Sequence, residues 1–85
     1  MTTNFKITFE GTEFEFITMN RVRLQLFQVY VLFERKKVRF HMQVNDNDEQ
    51  RFYITDRSSC PKIYLPLESQ YSEAILQKGL ALPAI

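Results

Sequence analysis

The stretch Phe5-Lys6-Ile7-Thr8-Phe9-Glu10-Gly11-Thr12-Glu13-Phe14-Glu15-Phe16 decides the fold class. Phe5, Ile7 and Phe9 alternate with Lys6, Thr8 and Glu10, and Phe14 and Phe16 alternate with Glu13 and Glu15. A period of two puts apolar side chains on one face of a pleated strand and polar ones on the other. Between the two runs stands Gly11-Thr12. Glycine adopts a positive φ at little cost, so Gly at the first turn position predicts a type II′ hairpin. That turn pairs Phe9 with Phe14 and Ile7 with Phe16. Every ring then lies on one face, and Glu10 stands opposite Glu13 beside the solvated turn.

The next segment, Arg21 to Glu34, keeps the period but changes phase. Val22, Leu24 and Leu26 occupy one parity, whereas Phe27, Val29, Val31 and Phe33 occupy the other. A strand switches faces only through an extra residue, which predicts a β-bulge or sharp bend near Leu26–Gln28. Val22, Leu26, Val29, Tyr30 and Phe33 also fit a helical stripe, but the Val, Tyr and Phe enrichment favours a strand. Downstream, Val38, Phe40, Met42 and Val44 alternate with Arg39, His41 and Gln43, and Phe52 and Ile54 turn inward from Arg51 to Thr55. Pairing Phe33 with Val38 sets Val31 opposite Phe40 and Val29 opposite Met42. The tip Arg35-Lys36 lacks Gly and Asn, so this register is open to a slip of two. Asn45 to Gln50 reads as a polar loop that aligns Val44 with Phe52.

Beyond Thr55 the pattern changes. Asp56 to Pro61 reads as a loop and Lys62 to Leu65 as a short edge strand. Pro66 suits the first turn of a helix and Gly79 its C-terminal cap. Leu67, Tyr71, Ala74, Ile75 and Leu80 form an apolar stripe at helical spacing, and Ala81 to Ile85 is an apolar tail expected to pack. Glu68 and Glu73 lie toward the start of this helix and Lys78 at its end, as the helix dipole favours. The predicted strands cover about residues 4–10, 13–19, 21–34, 38–45, 51–55 and 62–65, with a helix over about 67–78. The fold class is α+β. An antiparallel meander of five to six strands, strongly bent or half-barrel in shape, is closed on one side by the C-terminal helix.

The chain has 85 residues, 45% of them hydrophobic. That is one domain, since halving it would leave neither part a core. No apolar run approaches the roughly 18 residues of a membrane helix, and no basic-then-apolar leader opens the chain. The expected location is therefore cytoplasmic, with no membrane partner. A single cysteine, Cys60, excludes an internal disulfide and a multi-cysteine zinc site. The net charge of +1 gives no global field, yet residues 21–45 hold six basic residues against one acidic.

Candidate chemistry is sparse. Cys60 and His41 are the only residues of their kinds. A nucleophilic dyad needs hydrogen-bond reach and an orienting third group, which no spacing here supplies. Asp46-Asn47-Asp48-Glu49 resembles the start of a calcium loop, but Arg51 and Arg57 stand where the sixth-position Gly and twelfth-position Glu belong. Neither glycine precedes a helix, so there is no phosphate-cradling loop. Glu13 and Glu15 share one strand face about 7 Å apart, which on an exposed hairpin reads as a solvated surface. No enzyme activity, cofactor or metal is expected.

The outer face of the second half of the sheet remains. In the expected register Tyr30 lies beside His41 and Tyr53 across from Gln43, with Leu32, Arg39 and Arg51 bordering them. The expected function is a small non-catalytic protein-interaction or binding module, with Tyr30, Leu32, Arg39, His41 and Tyr53 as its candidate surface. Its partner is another protein or a second copy of the chain. The edge strand at 62–65 is a second place for a partner to dock. The alternative is single-stranded nucleic-acid binding through the same face, the rings stacking on bases and Arg35, Lys36, Lys37 and Arg51 contacting phosphates. Salt separates the two readings, because phosphate contacts weaken steeply as salt rises. A small-molecule site inside the bent sheet would need a cavity that eight Phe and four Tyr are expected to fill.

Overall fold

The computed structural model describes residues 2–19 and 25–79, with residues 49 and 50 described in backbone only. Five strands follow in order: β1 (Phe5–Phe9), β2 (Thr12–Thr18), β3 (Leu26–Phe33), β4 (Lys36–Asn45) and β5 (Asp48–Ile54). They form one antiparallel sheet in the order β1-β2-β3-β4-β5. The sheet curls into a half-barrel, and one helix, α1 (Glu68–Lys78), lies across its open side. This is the α+β architecture expected from the alternation.

The β1–β2 and β3–β4 turns depart from the expected register in the same way. Phe9 pairs with Thr12, Ile7 with Phe14 and Phe5 with Phe16. The turn is therefore Glu10-Gly11, with φ of 50° and 80°. Two positive φ values define type I′, not the type II′ turn predicted at Gly11-Thr12. Glu13 consequently faces Thr8, and the expected Glu10–Glu13 opposition does not occur. The β3–β4 turn repeats this at Glu34-Arg35, with φ of 51° and 67°. Phe33 pairs with Lys36, Val31 with Val38 and Val29 with Phe40. Both hairpins are thus two residues out from the expected pairing. A slip of two preserves parity, so every inward residue stays inward.

The bulge expected near Leu26–Gln28 is not there, because β3 pairs continuously with β4 from Leu26 to Phe33. The irregularity in the ladder falls between Val44 and Asn45 instead. It lets the tight turn after Asn45 coexist with the expected Val44–Phe52 pair, and strand pairing resumes at Asp48 inside the segment read as a loop. Val22, Leu24, Leu80 and the 81–85 tail lie outside the described residues.

The segment expected as an edge strand is a 3-10 helix, Lys62–Leu67, preceded by a 3-10 turn at Arg57–Ser59. Pro61 precedes it and Pro66 lies within it, and Tyr64 donates its N–H to the Pro61 carbonyl at 2.9 Å. Proline removes ladder donors, and the coil turns Tyr64 inward against Phe14 and Phe33 while Ile63 stays 63% exposed. The 3-10 helix runs directly into α1, so Pro66 sits ahead of the α-helix rather than in its first turn. Gly79 does stop the helix, but with φ −77° and ψ −14° its left-handed freedom is unused. Its carbonyl accepts the Thr3 N–H at 2.7 Å and ties the helix end to the start of the sheet.

Phe14, Phe16, Phe27, Val29, Phe40, Met42, Tyr71 and Ile75 are fully buried between sheet and helix. Tyr71 is the hub: its ring centroid lies 5.2 Å from Phe14, 5.3 Å from Phe9, 5.8 Å from Phe40 and 6.0 Å from Phe16. Its hydroxyl donates to the Tyr64 carbonyl at 3.0 Å. Burial drives its pKa well above the ordinary tyrosine range, so it remains a donor at any working pH.

Candidate binding surface on the outer sheet face

With the core residues on the concave side, the opposite parity of each strand forms the outer face. One cross-strand row reads Lys6, Glu15, Tyr30, Arg39, and beside it Leu32 pairs with Lys37. Further along, Gln28 pairs with His41, and Gln43 lies between Leu26 and Tyr53. All five expected surface residues, Tyr30, Leu32, Arg39, His41 and Tyr53, stand on this face, but not as one cluster. Tyr30 neighbours Arg39 where His41 was expected, because of the two-residue slip; Tyr53 faces Gln43 as expected. Tyr30, Leu32 and Arg39 form one group, and His41 and Tyr53 lie toward the other end of the strands.

Tyr30 and Leu32 of the first group, but not Arg39, line a shallow hollow of about 690 Å³ whose rim also includes Lys6, Glu13, Glu15 and Lys37. Tyr30 is braced there, its hydroxyl donating to the Gln28 side-chain oxygen at 2.9 Å, while the Lys37 ammonium stands 4.9 Å from its ring centre. That is cation–π distance. Leu32 is 64% exposed beside it. The alternation places Glu13 and Glu15 on one face, but their pairing with the Tyr30 strand is not legible in the sequence, because no hairpin rule specifies the register of β2 on β3.

His41 has a different neighbour from any expected. Its backbone N–H donates to one Asp56 carboxylate oxygen at 2.7 Å, and its ring Nδ1 meets the other at 3.0 Å. Partial burial alone would push the Asp56 carboxyl up; the hydrogen bonds from the His41 ring and backbone outweigh it and hold the carboxyl below its ordinary range. The pair pins the start of the loop after β5. Cys60, by contrast, belongs to the buried cluster, and burial pushes its thiol up to about 11. His41 and Cys60 thus lie in different settings, one on the outer face and one in the core.

Of the four cations of the nucleic-acid alternative, three are consecutive and one stands apart. Arg35 and Lys36 sit at the turn between β3 and β4, and Lys37 covers Tyr30. Arg51 lies 3.9 Å from Asp48 in a groove beside Ser69, Ser72 and Glu73, on the α1 side of β5. Among the described residues, no three His, Cys, Asp or Glu side chains gather as a metal site, and no helix is long and apolar enough to cross a membrane. No protein-family model, curated protein or solved structure matches the chain.

Proposed function

We propose that the chain is a small protein-binding module that acts by docking, not by catalysis, and that its contact centre is the Tyr30–Leu32 end of the outer face. The observation that carries this reading is Leu32, 64% exposed on the outer face beside a braced aromatic ring. An apolar centre ringed by charges of both signs, here Lys6, Glu13, Glu15 and Lys37, has the composition of a protein contact: desolvated core, polar rim. Tyr30 is already tethered by the Gln28 hydrogen bond and faced by Lys37, which lowers the side-chain entropy to be lost on docking.

The same charges weigh against nucleic acid. Glu13 and Glu15 stand on the rim from which a phosphate chain approaching Tyr30 would be repelled, and Arg51 is engaged elsewhere. The test is an amide-resolved NMR titration with mixed short single-stranded DNA and RNA at low and then physiological salt. It is coupled to photocrosslinking from position 32 in cells. The proposal expects no salt-sensitive shifts, and a crosslinked protein that is lost in Tyr30→Ser but retained in Arg51→Ala. Shifts at Tyr30, Lys37 and Arg39 that fade with salt overturn it in favour of nucleic acid.

A further inference from the structure

The two edges of the half-barrel are treated unequally. In β5 the outward N–H groups of Phe52 and Ile54 are taken by α1, Phe52 donating to the Ser72 hydroxyl and Ile54 to the Glu68 carboxylate, each at 2.8 Å. That edge is closed. At β1 the tight turn makes Phe9–Thr12 a hydrogen-bonded pair, so Phe5, Ile7 and Phe9 bond to β2 and the backbone of Lys6 and Thr8 points outward. Among the described residues nothing pairs with those outward groups, and α1 stands off. Between them runs a groove of about 400 Å³, with Ile7 and Thr8 on the strand side and Gln70, Glu73, Ala74 and Gln77 on the helix side.

We infer that this groove accepts an extended segment of a partner protein as a sixth strand, paired antiparallel to β1, with a lysine or arginine at its inward-facing position. The backbone N–H and C=O of Lys6 and Thr8 supply the ladder. A residue of the added strand opposite Ile7 points toward α1, where Glu73, which also borders the Arg51 groove at β5, and Glu10 at the groove end present negative charge; no cation lines the β1 groove among the described residues. Residues flanking it point to the outer face beside Lys6 and Thr8. Charge also decides against a second copy: a β1–β1 pairing brings two α1 helices, each carrying Glu73, to the same groove. The inference uses a surface separate from the Tyr30–Leu32 contact and stands or falls independently of it.

The test is NMR with two seven-residue peptides of alternating Thr and Val, one with Lys and one with Glu at the central position. The Lys peptide is expected to slow amide exchange at Lys6 and Thr8 and to shift the Gln70–Gln77 face of α1. The Glu peptide should bind at least ~10-fold more weakly, and Glu73→Lys should reverse that order. Thr8→Pro removes an outward N–H and should abolish binding of both. Glu73 is an exposed helix position, so the reversal is readable even where Thr8→Pro fails to fold. Absence of protection at Lys6 and Thr8, equal binding of the two peptides, or concentration-dependent protection of these amides without peptide would overturn the inference, the last in favour of a homodimer. Shifts confined to Tyr30 and Leu32 would overturn it while leaving the outer-face reading intact.

Discussion

Ser72 is a helix residue that finishes a strand. Its hydroxyl is the acceptor for the buried Phe52 N–H at 2.8 Å, and the residue is only 7% exposed. Ser72→Ala removes the acceptor and leaves the amide desolvated, so the variant should lose about 1–3 kcal/mol in urea unfolding with the fold otherwise unchanged. Asp56 makes the comparable clamp at the other side of the sheet, and its contribution depends on pH. Its carboxyl is held below its ordinary value of 3.8, so the charged form is favoured by folding. The stabilisation is therefore present above 3.8 and is lost as pH falls through the lower native value. The His41 amide should exchange faster across that acid window, whereas in Asp56→Asn its exchange should follow only the intrinsic pH dependence. Neither clamp was legible in the sequence, since Ser72 and Asp56 meet partners 20 and 15 residues away through tertiary geometry.

At the scale of the element, the strand faces were legible and the registers were not. Inward residues from Phe5 to Ile54 follow the alternation, because burial on one face punishes a slip of one residue. A slip of two leaves the faces intact, so only turn chemistry can distinguish the alternatives. Here the turn residues mislead: Glu10, Glu34 and Arg35 all take positive φ without being glycine. The same blindness to long-range pairing hid Glu13 and Glu15 from Tyr30, although each belonged to a correctly read strand. At 62–65 the failure was different, because apolar residues between two prolines fit a strand pattern that proline then forbids. The strained β3–β4 turn makes a directional prediction. Replacing Glu34-Arg35 by Asn-Gly should stabilise the protein by about 1–2 kcal/mol, since both positions then accept the left-handed region. An unchanged thermal midpoint would mean that the pair does not carry the strain its φ values imply. Gly11→Ala should act in the opposite sense despite open space around its Cβ, because φ is +80° there.

The whole molecule is a curled sheet that cannot cover its own concave face, and α1 supplies the missing wall through one side chain above the rest. Tyr71 fills the centre with its ring and fastens the preceding 3-10 helix with its hydroxyl. The two roles separate experimentally. Tyr71→Phe keeps the ring and leaves the Tyr64 carbonyl unpaired, an expected cost of about 0.5–1.5 kcal/mol. Tyr71→Ala opens a cavity among Phe9, Phe14, Phe16 and Phe40, an expected cost of about 3–5 kcal/mol by analogy with buried Phe. At roughly 0.05–0.15 kcal/mol per residue, a domain of this size has about 4–13 kcal/mol to lose, of which the cavity takes a large share. Tyr71→Phe should therefore unfold cooperatively at a slightly lower temperature, whereas Tyr71→Ala should be largely unfolded at 37 °C or lose its sharp transition. If Tyr71→Ala instead melts sharply near the parent temperature, the sheet and α1 stay joined without the Tyr71 ring. The groove beside β1 would then depend on the contacts α1 makes through Ser72, Ala74 and Ile75.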